Sequence, residues 1–175
     1  MAGLVPAIRV FEMDSKAWMP ATSAGMTMEG YRMAQLQNLH ALPIVLAAVA
    51  AWLFGAIYYG LLCRKWTAAQ GMTVEQCKAE NAGRSAAAKA APFILSFVAE
   101  IGMAAVLSGI MFHIGIYTMR AGAFSGFMCW LGFVLTTVVV NNAYTFRKAT
   151  LTAIDTGHWL GVLVIIGAIL GTWGA

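Results

Sequence analysis

Residues 41–63, ALPIVLAAVAAWLFGAIYYGLLC, carry no charged side chain. A helix over 42–62, rising 1.5 Å per residue, covers roughly 30 Å, the thickness of a bilayer's hydrocarbon core. Lipid offers no partner for backbone N–H and C=O groups, so such a run is read as a transmembrane helix. Three further apolar runs lie at 92–117, 121–144 and 153–173, in which the only Asp, Glu, Lys or Arg residues are Glu100 and Asp155. The chain is therefore expected to be an all-α membrane protein, four antiparallel transmembrane helices in a bundle. Composition agrees: 61% of residues are hydrophobic and 10% charged, against about 45–50% and about 25% in soluble domains. A core built from 175 residues cannot hide that much apolar surface from water.

The net charge of +4 would suggest nucleic acid in a soluble protein. Here the basic residues lie between the apolar runs, where they set orientation. Lipid is the expected partner and nucleic acid is not. Loop 63–91 carries Arg64, Lys65, Lys78, Arg84 and Lys89, and loop 145–152 carries Arg147 and Lys148; near the membrane on the other side stand only Arg32 and Arg120. With four spans the two loops share a side, so both are expected in the cytoplasm and both termini outside, in a bacterial inner membrane. Within the first loop Thr73-Val-Glu-Gln76 has capping-box spacing and predicts a short helix ending near Gly83. Pro92 suits the first turn of the second span, and Thr152-x-x-Asp155 would cap the fourth.

Small residues recur at helical spacing: Ala47, Ala51 and Gly55; Gly122 and Gly126; Gly157 and Gly161; Gly167 and Gly171. Such stripes let helix backbones approach closely, within the chain or between copies in a homo-oligomer. Extrapolating the third span's periodicity puts Trp130, Thr137 and Asn141 on the face of Gly122 and Gly126. Cys63, Cys77 and Cys129 show no CxxC and no disulfide framework. His40 and His113 read as interfacial, and no spacing matches a metal site.

Residues 1–38 are mixed in polarity, contain Pro6 and Pro20, and lack the unbroken apolar core of a signal peptide. They are expected to be a poorly ordered extension before a membrane domain at 39–175. MAGLVPAIRVF and SKAWMPATSAGMT, within 1–27, resemble a repetitive element seen translated at the ends of alphaproteobacterial reading frames. That implies a natural start at Met28 or Met33. Elsewhere, WLGFVLTTVVVNNAYTFRKATLTAIDTGHWLGVLVIIGAILGTW resembles the C-terminal half of the bacterial membrane family called domain of unknown function 1761. WLFGAIYYGLLCRKW and FILSFVAEIGMAAVLSG are similar to its first two spans, so the resemblance covers about 38–174. It departs at Tyr58-Tyr59-Gly60-Leu61, where the family often reads Trp-Tyr-Ser-Pro. The resemblance implies a four-span membrane protein and brings no activity with it.

Glu100 is the sharpest candidate for chemistry. A charge at mid-span costs about 2.5–3.5 kcal/mol on insertion scales, so such groups face protein or water. The candidate site is a proton or cation site in a small wet cavity open to the cytoplasm. Counted from the loop-side ends at 1.5 Å per residue, Glu100 lies about 12 Å in, Thr137 about 10 Å, His158 about 9 Å, and Asn141, Tyr58 and Tyr59 about 5 Å, with Asp155 at the rim. The rival reading makes these groups glue between helices, with Glu100 bonded to Ser96 and Asp155 a cap. Asp155 and His158, i and i+3, share a face and could exchange a proton. There is no HExxH, GxSxG or Walker loop, and no cofactor or metal is implied. The expectation is a non-enzymatic interaction or structural bundle; the alternative is a small transport or conductance protein using the Glu100 cavity. An intramembrane enzyme ranks third, because no nucleophile, base and orienter set is visible.

Overall fold

The computed structural model describes residues 41–116 and 118–173. The expected extension at 1–38, the repeat resemblance and the start at Met28 or Met33 fall outside them. The described chain is all helical: α1 (Ala41–Ala69), α2 (Val74–Ala82), α3 (Ala86–Ile114), α4 (Met119–Tyr144) and α5 (Ala149–Trp173). All but α2 are long and apolar enough to cross a membrane.

The helix ends follow local chemistry. Thr73 and Gln76 form the reciprocal capping box expected for α2, which stops at Gly83. Ser85 caps α3 through the Ala88 N–H, and the alanine-rich 86–91 segment then favours helix before the apolar run begins. Pro92 consequently lies inside α3 rather than in its first turn. The bond it cannot donate is lost where residues 86–95 are exposed, so water or headgroups can satisfy the freed carbonyl. α3 ends at Gly115, whose φ of 72° is the left-handed cap that glycine adopts without a Cβ penalty. Thr118 caps α4. α5 begins at Ala149, so Asp155 is well inside it and the expected Thr152–Asp155 cap does not form.

α5 is the hub. Val162, Ile166 and Leu170 are buried on it, and they pack with Ala47, Ala51, Ala104, Leu107 and Met111 of α1 and α3. The other three spans turn large apolar side chains outward, among them Leu53, Ile94 and Phe133, as lipid-facing helices must. Lys148, between α4 and α5, donates to the Ala68 carbonyl at the end of α1 at 3.3 Å. That bond places the end of α1 and the α4–α5 connector on one side, the shared side expected of the two basic loops.

α4 and α5 run antiparallel with glycine against glycine. A Cβ on Gly122 would collide with the Gly167 carbonyl, one on Gly126 with Leu163, and one on Gly171 with Thr118. The Gly122/Gly126 and Gly167/Gly171 pairs are thus spent within the chain. Past Cys129 the face shifts, because Trp130–Leu135 is a π-helical turn. Such a wide turn displaces the downstream part of the helix by about one residue. Trp130 still donates to the Thr156 carbonyl of α5 at 2.8 Å, but it is Asn142, not Asn141, that reaches Thr152 at 3.0 Å.

Candidate functional site

α1 meets α5 through side chains. Tyr58 donates to the Ile154 carbonyl at 3.1 Å, and its hydroxyl occupies the space a Cβ on Gly157 would take. The Phe54 ring does the same at Gly161. Glycines 157 and 161 therefore admit aromatic rings, not a second backbone. Tyr59 and Trp66, two turns apart on α1, both donate to Asp155, at 3.2 and 3.3 Å. The carboxylate that the sequence assigned to a helix cap instead clamps the loop-side end of α1 to α5.

His158 lies 5% exposed among the rings of Phe54, Tyr58, Tyr59 and Trp159, whose centroids are 4.8–6.3 Å away. A Cβ on Gly55 would come within 2.7 Å of its Nε2, so Gly55 makes room for this imidazole. Its Nδ1 is buried without a hydrogen-bond partner among the described residues. The expected exchange between Asp155 and His158 has no hydrogen bond to carry it: Asp155 is engaged by α1.

Glu100 is 1% exposed, and its Oε2 has no partner among the described residues. Ser96 does not serve it; that hydroxyl donates to the Phe93 carbonyl at 2.9 Å. Phe93 also accepts from the Trp52 indole at 3.1 Å, the bond that links α1 to α3 here. Glu100 borders a cavity of about 520 Å³ between α1, α3 and α5, with His158, Tyr59, Trp52, Trp66 and Ser96 also in its wall. Ala56, Gly60, Pro92 and Phe93, exposed on the outer faces of α1 and α3, form its mouth.

The structure thus brings together three expected residues, Glu100, His158 and Tyr59, and joins Asp155 and Tyr58 to the wall from behind. Thr137 and Asn141 are excluded. Both are exposed on α4, and α4 gives nothing to the cavity. The π-helical turn rotates them off the α5 face, and Thr137 satisfies its hydroxyl on the Phe133 carbonyl. The reading from sequence missed Trp52, Trp66 and Gly55 as parts of the site. Trp66 reads as an interfacial anchor and Gly55 as one more small residue; only their position against Asp155 and His158 separates them from others of their kind.

A profile of the family described as "Protein of unknown function (DUF1761)" matches residues 42–171, which takes in all four spans and every residue of this cavity. The chain belongs to that family. No curated protein and no solved structure matches it. Its four helices long and apolar enough to cross a membrane make it a multi-pass membrane protein, and the chemistry of its cavity has to be read from its own residues.

Proposed function

We propose that this protein binds an organic cation in the cavity at Glu100 and acts as a small transport protein, the cation exchanging with a proton on the carboxyl. The observation that carries this reading is the buried Glu100 carboxyl, unpaired on Oε2 and bordering an open cavity. A buried polar group left unsatisfied costs about 1–3 kcal/mol, and a helix-joining Glu would have found a partner. Aromatic walls suit a cation, which is attracted to ring faces by about 0.5–2 kcal/mol. When the cation arrives and the proton leaves, one positive charge replaces another, so the net charge of the buried site is unchanged.

Tetraethylammonium binding to the protein in nanodiscs, with proton release recorded in weak buffer, tests this. Binding should release close to one proton per cation, and Glu100→Gln should lose both signals while keeping the thermal unfolding profile. Unchanged binding by Glu100→Gln overturns the reading.

The interaction-bundle reading draws on the glycine stripes, yet Gly122, Gly126, Gly167 and Gly171 are occupied inside the chain. A homo-oligomer would have to form through other faces. For orientation we keep the basic loops in the cytoplasm. A reporter after Lys89 should read cytoplasmic and one after Ala175 external; the reverse pattern would turn the cavity's loop-side end outward.

A further inference from the structure

We propose that the cavity's occupant is a single-chain amphiphile with a cationic amine head, entering sideways from the bilayer between α1 and α3. This rests on the Glu100 site proposed above. Two residues of the cavity wall, Trp52 and Phe93, also line a second groove of about 390 Å³, completed by Val49, Leu53, Ile94 and Phe97. Val49, Leu53 and Ile94 are 37%, 51% and 62% exposed, so this groove faces the acyl chains. The groove and the cavity therefore adjoin at one shared wall between the two helices, Trp52 and the Phe93 carbonyl that accepts from it standing between lipid and the buried carboxyl. Among the described residues the groove is lined by aliphatic and aromatic side chains, and the cavity adds Glu100, His158, Tyr59 and Ser96.

That sequence of surfaces matches one apolar chain ending in one polar head. The head's charge is set by the wall. Among the described residues neither Lys nor Arg lines the cavity or the groove, so a phosphate would be buried beside Glu100 without a cationic partner, at the desolvation cost of an unpaired ion. An ammonium would instead meet the Glu100 carboxylate at the cavity wall and the rings of Trp52, Tyr59 and Trp66. Phospholipid heads are disfavoured and a lipid amine is favoured.

The test compares tetraethylammonium with dodecyltrimethylammonium, kept below its micelle concentration, on the full chain in phosphatidylcholine nanodiscs, with protein-free nanodiscs subtracted. Dodecyltrimethylammonium should bind at least tenfold tighter. Ile94→Trp and Leu53→Trp, both at lipid-facing positions, should remove that advantage and leave tetraethylammonium binding as it was. A dodecylamine with a terminal diazirine should label the peptides holding Val49, Leu53 or Ile94. Equal binding of the two cations, or full chain-dependent binding by both tryptophan variants, overturns lateral entry and leaves the Glu100 site standing. Labelling of the same peptides by a diazirine phospholipid as strongly as by the amine overturns the amine head. If neither cation binds in a Glu100-dependent way, the site reading itself falls, and this inference with it.

Discussion

Along one face α5 meets α4 backbone to backbone; along another its loop-side half meets α1 through rings. The α4 contact joins glycines so closely that no Cβ fits at Gly122, Gly126, Gly167 or Gly171. In lipid there is no hydrophobic drive between helices, and association depends on such close van der Waals approach, helped by Cα–H···O contacts of about 0.5–1 kcal/mol each. The α1 contact uses Phe54, Tyr58, Tyr59 and Trp66 with His158 and Asp155. These α1 rings pack edge to face or tilted against one another, and the cavity at Glu100 lies beside them. The comparison separates two tasks: α4 and α5 form a dry frame, while α1 and α3 enclose a site against it.

The largest expected effect breaks the frame. Gly126→Ala sets a methyl against the Leu163 carbonyl and should destabilise the protein by about 1–3 kcal/mol, as overpacking does. Thermal unfolding in a mild detergent reads this; a shift near zero would mean the two backbones are not in contact. At the site the sign should reverse. Glu100→Leu removes a buried acceptor without a partner and should stabilise by about 1–3 kcal/mol while abolishing tetraethylammonium binding. A loss of stability would show that Glu100 is tied into the helix packing after all.

A smaller effect sharpens where the frame ends. Asn142→Ala loses the bond to Thr152 and should cost about 0.6–1.7 kcal/mol, the span for interhelical polar contacts, whereas Asn141→Ala should leave the unfolding curve in place. Equal losses would mean that the π-helical turn does not set which asparagine faces α5. Smallest is Gly55→Ala, which meets only the far end of one imidazole. It should cost less than Gly126→Ala, because a side-chain end can give way where a backbone carbonyl cannot, yet weaken cation binding because His158 must shift within the cavity wall.

Several of these features are legible from residue types alone. The four spans, the Thr73–Gln76 box, the shared side of the basic loops and the protein-facing position of Glu100 all come from runs and spacings along the chain. Asp155 is misread because the same Thr-x-x-Asp spacing that caps a helix also occurs inside one, and only the start of α5 at Ala149 decides between them. Thr137 and Asn141 are misplaced when a 3.6-residue period is carried through Trp130–Leu135, where a π-helical turn intervenes. WLGFVL contains no proline to announce it, and no local signal separates it from ordinary helix.

By itself the sequence determined that this chain lives in lipid, how many times it crosses, and that a carboxyl is held near mid-span, since each depends only on the transfer energy of consecutive side chains. Tertiary structure alone decided which glycines admit a backbone and which admit a ring, and which polar groups find partners. It also decided that Glu100 finds none on Oε2 among the described residues and faces a cavity instead. Those outcomes depend on the rotation of each helix against its neighbours, and one wide turn in α4 is enough to change it.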